Sequence, residues 1–375
     1  MSVLITKSKI DSVRMEPAIL QNEANLLVSE LFTKIGNIDS NRKLTKNEIR
    51  SIGGNGWENT LNGYCYLKKW FTESVLVQLA VTMKTIEEKV RGDTRLLFKI
   101  IFSDILRGVS LQEPADLRIR RKNNPEDNWP IFNIYSTSLL KKIEQISKAS
   151  KYINHEYKYH HAMIGNSVID NKDIMKYLMY SNKNKFDAAI TSPPYASALP
   201  YVDTQRLSMV LLGLIEPKQI LKLEKSLTGS RDLSKKEKSL LENEINENKN
   251  NLPDSCIQKC REMLYVLDKE NDGFRKQNTP ALLYKYFSEM RSSFLNIREI
   301  LDNDAYYAVV IGQNKSELGK QKFIIDTPKF LGILANSVGF NLVEEIPLNT
   351  YQRYDLHRNN SIRSESLLLL RRDNR

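Results

Sequence analysis

Pro193 and Pro194 close the apolar run Phe186-Asp187-Ala188-Ala189-Ile190-Thr191. No strand continues through two residues that lack an N–H. The run is too short for a helix and reads as a buried strand. The segments around it define the kind of sheet. YHHAMIGNS (159–167) reads as a strand running into a turn, and residues 171–182 as a helix. YVDTQRLSMVLLGL (201–214), residues 281–301 and residues 327–340 have apolar residues at helical spacing. AYYAVVIGQN (305–314), LVEEIPL (342–348) and ESLLLLRR (365–372) read as strands. Alternation of this kind from residue 158 onward predicts an α/β sheet with helices on its faces.

Residues 1–150 have a different texture. Residues 16–36, 66–90, 93–110 and 137–153 are amphipathic and helical in pattern. Between them lie a Gly/Asn-rich break at 52–63 and a polar, basic, Pro-containing stretch at 112–130. We therefore expect a mainly helical region, 1–150, followed by an α/β region, 151–375. A Lys/Glu/Asn-rich helical insertion is expected within the latter at about 216–280.

The formal net charge of +11 concerns partners more than fold, and nucleic acid is the commonest acidic partner of a basic protein. No apolar run is long enough to span a bilayer, and the N-terminal MSVLITKSKIDSVRMEP has no signal-like apolar stretch. These features predict a cytoplasmic, nucleoid-associated protein without a membrane. The cysteines are Cys65, Cys256 and Cys260, an odd and sparse set that argues against a disulfide framework. Cys256 and Cys260 would share one helix face. No second Cys or His pair with zinc-finger spacing accompanies them, so no metal is expected.

The corner itself suggests a chemistry. In open α/β sheets ligands lie at the carboxyl ends of strands, where Ser192-Pro193-Pro194-Tyr195 falls. Two prolines remove two donors and fix two φ angles, leaving carbonyl oxygens in a rigid array. The Ser192 hydroxyl and the Pro193 carbonyl could together accept both hydrogens of an amino group. The Tyr195 ring could stack on a planar base. An aromatic amine is a poor nucleophile because its lone pair is delocalised. Two acceptors on its hydrogens would favour pyramidalisation and aim the lone pair, a stabilisation preorganised for the transition state.

TSPPYASALPYVDTQRLSMVLLGL resembles motif IV and the following helix of bacterial amino-directed DNA methyltransferases of the N4-cytosine type. LTGSR (227–231) is similar to a short element after that motif. VVIGQN (309–314) is similar to the next strand, and VGFNLVEEIPL with NNSIRSESLLLLRR to the final hairpin. YLKKWFTESVLVQL and QEPADLRIRRK resemble the helical region that precedes motif IV. The resemblance covers most of residues 60–372, and SPPY is its specific element. It implies S-adenosylmethionine as methyl donor and double-stranded DNA as substrate, with the target base extruded from the duplex. It assigns Ser192, Pro193, Pro194 and Tyr195 to catalysis. Asn166, Ser167 and Thr191 would lie near the cofactor, with Asn166 standing where the family often has an acid. Arg118, Arg120, Arg121, Lys122, Arg353 and Arg358 become candidates for phosphate contacts.

Two family elements are missing. We find no first strand ending in a glycine-rich turn and no second strand ending in an acid. Gly53-Gly54-Asn55-Gly56 follows the charged, helical-looking LTKNEIR and reads as a loop. The expected fold is thus a Rossmann-like class I methyltransferase sheet lacking its first two strands, preceded by a helical region. The resemblance then implies a split enzyme whose companion subunit carries the cofactor motif, in restriction–modification or phage defence. Two other readings stay open: an inactive DNA-binding or regulatory subunit, and an enzyme acting on adenine N6 or on RNA.

Overall fold

The computed structural model describes the chain except residues 40–41, 114–115, 117–118, 123–127, 153–160, 181–183, 197–200, 232, 269, 350–363 and 375. It divides into two compact units, Met1–Ile164 with Val202–Leu221, and Gly165–Tyr201 with Lys222–Arg375. The division is therefore not a single cut near 150, because residues 202–221 pack with the N-terminal helices. Among the described residues, no helix is long and apolar enough to cross a membrane.

The first unit is helical. Its Glu73–Lys89 helix, capped by the Thr72 side chain, is buried along most of its length. Helices Pro17–Leu31, Gly92–Ile105 and Ile131–Ser150 supply further apolar faces, and the buried Tyr135 hydroxyl donates to the Phe98 carbonyl at 3.2 Å. The capping box of Thr45 and Glu48 starts the Lys46–Gly53 helix. Gly53 ends this helix, and Gly54 and Gly56 turn away from it with positive φ. The Gly-rich segment is a helix terminus with its loop, as the charged LTKNEIR predicts.

Among the described residues the second unit holds six strands: β1 (Phe186–Thr191), β2 (Leu301–Gly312), β3 (Asn314–Leu318), β4 (Gln321–Ile325), β5 (Phe340–Asn349) and β6 (Ser364–Arg372). Four form one sheet in the order β1-β2-β6-β5, and β3 with β4 is a separate hairpin. β1 runs parallel to β2, with Thr191 opposite Val309; β6 is antiparallel to both β2 and β5. β2 buries Ala305, Tyr307, Val309 and Ile311 in strict alternation, as a strand with one face on a core must. The Thr279–Ile300 helix covers that face. Phe294 lies 5.9 Å from the Tyr307 ring and 6.4 Å from Phe340, ring to ring. Cys256 and Cys260 sit in the same core, on the Asp254–Tyr265 helix. Burial pushes the Cys256 thiol up to about 12 and Cys260 higher still, which makes both inert packing residues.

Three expectations need correction. The strand placed at 159–167 is absent from its described part, since residues 161–166 have no regular structure and a turn begins at Ser167. This segment's polar groups go to a helix instead of a ladder. Asn296 donates to the Ser167 carbonyl at 2.6 Å, and Asn171 donates to Glu299 at 3.2 Å. Second, β1 is not buried. Among the described residues it is an edge strand, and Ile190 is 79% exposed. Third, the residues after 314, which carried no strand signal, complete the β3–β4 hairpin, Asn314–Leu318 with Gln321–Ile325. Its turn uses Gly319 and Lys320, both at positive φ. Two such residues suit a two-residue hairpin loop, but Gly-Lys is not the usual sequence for one.

Candidate active site

The corner leaves the sheet where two parallel strands end together. Thr191 closes β1 and is half-buried. Ser192 is exposed, Pro193 is buried, and Pro194 and Tyr195 are half-buried. Because β1 and β2 are parallel, the residues after Gly312 emerge on the same side as Ser192. Asn314, buried at the start of β3, donates its side-chain amide to the Ala196 carbonyl. The Tyr195 hydroxyl donates to the carboxylate of Glu365 on β6, and Glu365 is paired with Gly312 at the end of β2. Tyr195 is thus tied to the sheet and Ala196 to the hairpin that follows β2.

The LTGSR loop forms the other wall. A turn closes from the Ser230 N–H to the Leu227 carbonyl at 3.0 Å, with Gly229 at φ +76°. A Cβ on Gly229 would stand 2.8 Å from the Tyr195 carbonyl oxygen and 3.3 Å from Pro194 Cβ. Only glycine serves here, because it supplies both the left-handed backbone and the close approach. The loop is supported from the Thr279–Ile300 helix by Glu289. That carboxyl accepts a hydrogen bond from the Thr228 side chain and lies 3.8 Å from Lys285.

Burial raises the Glu289 pKa above the usual 4.5, against the opposing influence of Lys285 and Thr228. The sign of the pH dependence follows. Below 4.5 the carboxyl is protonated in both folded and unfolded chains. As pH rises from there to the raised folded value, the unfolded chain loses its proton first, so the folded state loses stability. Across that window the melting temperature of the native chain should fall relative to that of Glu289→Gln, and the two should run parallel above it. Thermal melts at closely spaced pH values check this, and parallel curves throughout would contradict it.

The other sequence candidates fall as follows. The Asn166 side chain accepts from the Val168 N–H at 3.0 Å in a local turn, and Asn166 is exposed. The Ser167 hydroxyl accepts from Ser293 at 2.9 Å. Both are occupied in holding residues 166–171 in place. Arg120 and Arg121 are exposed on a short ribbon of the first unit, where Gln112 bridges Arg121 and the Glu113 N–H donates to the Arg120 carbonyl at 2.7 Å. Lys122 follows, its Nζ 5.2 Å from the centre of the Trp129 ring. Arg118, Arg353 and Arg358 lie outside the described residues. Sequence reasoning missed Asn314, Glu365 and Glu289. VVIGQN did signal Asn314, since a polar residue directly after a β-strand in an α/β sheet lies at the ligand end. Glu289 and Glu365 lie 94 and 170 residues from Tyr195, and no local pattern links them to it.

No protein-family model matches the chain. It shows weak homology to a type II methyltransferase, M.AvaI, in Nostoc sp. (strain PCC 7120 / SAG 25.82 / UTEX 2576) and in Anabaena variabilis. Each is 26% identical over 195 residues, which is 48% of this chain and 36% of the relative. The match thus spans little more than a third of those relatives' length. A crystal structure provisionally described as a DNA modification methylase from Thermus thermophilus aligns at 12% identity over 24% of this chain and 38% of its own. Its TM-score of 0.20 carries no argument about fold.

Proposed function

We propose that this chain is the motif IV-bearing subunit of a site-specific DNA methyltransferase that modifies the exocyclic N4 amine of cytosine. The observation that carries the reading is the clamped Ser192-Pro193-Pro194-Tyr195 corner at the carboxyl end of β1. Homology to type II methyltransferases supports it independently. In this reading the cytosine is flipped from the duplex and its ring stacks on Tyr195. The Ser192 hydroxyl and the Pro193 carbonyl accept the two amine hydrogens and direct the nitrogen lone pair outward. Arg120, Arg121 and Lys122 neutralise phosphates, with Arg118, Arg353 and Arg358 as further candidates.

The methyl donor in this reading is S-adenosylmethionine, and most of its cradle would come from outside this chain. Asn166 and Ser167 are engaged locally, and the glycine-rich turn at 53–56 follows a helix instead of a strand. Thr191 is the remaining candidate beside the donor. We therefore assign the donor to a companion subunit. The sheet edges support that assignment. β5, the far edge, is guarded by Glu344, Glu345 and Pro347, a common protection against further pairing. β1 has no proline, and its Ala188 and Ile190 are exposed although the run is apolar enough for burial on both faces. Among the described residues nothing pairs with its outer edge. Strands carrying the cofactor motif would complete a Rossmann-like sheet there.

The test uses tritiated S-adenosylmethionine, duplex DNA and the purified chain, alone and with the product of its neighbouring gene. Tritium should enter DNA only when both polypeptides are present. Incorporation by this chain alone would overturn the companion, and none in either arm would favour a regulatory subunit.

A further inference from the structure

We infer that Glu365 is a positioning residue for the target base, acting through Tyr195; this deepens the methyltransferase reading above and rests on it. The Tyr195 hydroxyl donates to the Glu365 carboxylate, a charge-assisted bond and so stronger than a neutral one. Glu365 is no loose surface group. It is the second residue of β6, a central strand of the sheet, opposite Gly312 of β2 on one side and Leu348 of β5 on the other. A tyrosine held at its oxygen has a fixed Cβ–Oη axis, so its χ1 can no longer change wells. Asn314 holds the next residue's carbonyl, so side chain and backbone are anchored to adjoining strand ends. The ring is thereby set before a base arrives. Ordering that would otherwise be lost on binding is already in place, and the planar base meets a surface of fixed direction. A phenylalanine could stack as well but could not be held this way. The hydroxyl is what couples the stacking residue to β6.

The experiment has two arms. The full chain is labelled with carbon-13 in its tyrosine rings, and the Tyr195 signal is assigned by its loss in Tyr195→Phe. Glu365→Leu should shift that signal and make the ring mobile, while Glu365→Gln, which keeps an acceptor oxygen, should largely preserve it. The signals of the buried Tyr284, Tyr286 and Tyr307 should stay in place in both, showing an intact core. In the second arm, single-turnover methylation by the complex with its companion is measured. Tyr195→Phe and Glu365→Leu should each slow it about tenfold with DNA affinity unchanged, and the double variant should be no slower than Tyr195→Phe. Additive losses, or a Tyr195 ring indifferent to Glu365→Leu, would overturn the inference. A ring that responds in a complex that methylates no base would leave the contact and overturn its role together with the methyltransferase reading. Methylation with an indifferent ring would overturn the positioning alone.

Discussion

Ser192→Ala should lower methyl transfer on the order of 100-fold or more, with DNA binding and companion binding unchanged. Ser192 is exposed at the end of β1 and is not part of the core, so its loss costs the fold little. In the proposed pocket it is one of only two acceptors for the amine hydrogens. Losing one preorganised polar partner of a reacting group typically costs roughly 100- to 1,000-fold in rate. The remaining Pro193 carbonyl cannot hold both hydrogens at once. Tyr195→Ala should be comparably damaging, because it removes the stacking surface. Single-turnover rates beside equilibrium DNA binding provide the check. A Ser192→Ala chain that methylates at the native rate would remove the amine pocket from the account.

Gly229→Ala should have the second largest effect, and it should act on both stability and rate. At φ +76° an alanine is strained by roughly 1–3 kcal/mol. Its Cβ would also sit 2.8 Å from the Tyr195 carbonyl oxygen, so either the loop or the corner must move. A displacement of about 1 Å in a reacting constellation can cost about 100-fold in rate. Asparagine separates the two causes, since it tolerates the left-handed backbone but still carries a Cβ. Gly229→Asn should therefore recover part of the melting temperature and little of the rate. Full recovery of both by asparagine would mean that the close approach to Tyr195 is irrelevant.

Local chemistry was legible in the sequence, and long-range closure was not. The Pro-Pro stop places the corner at a strand end without any structure, because missing N–H groups forbid a ladder. The amphipathic helices at 73–89, 131–150 and 279–300 follow from their 3.6-residue periodicity. Apolar content misled at 159–167 and at β1. A short apolar run shows that burial suits it, but not whether this chain or another supplies the cover. The β3–β4 hairpin escaped because its turn, Gly319-Lys320, lacks the residues that usually announce one. Glu365 was invisible as part of the site, since only the register of β6 on β2 brings it to Tyr195, whereas the polar end of VVIGQN pointed to Asn314, which meets Ala196 beyond the ends of the parallel β1 and β2.

In the proposed enzyme this chain presents a cytosine amine while a companion supplies the methyl donor. This is tested most directly in a bacterial host free of DNA methylation, expressing the chain alone or with the product of its neighbouring gene. The host DNA is digested to nucleosides and analysed by mass spectrometry. N4-methylcytosine is expected on co-expression and in no other arm. N6-methyladenine would contradict the assignment of the base, and N4-methylcytosine from this chain alone would contradict the division of labour. Unmethylated DNA from a host in which both polypeptides accumulate as a stable complex would contradict the enzyme itself.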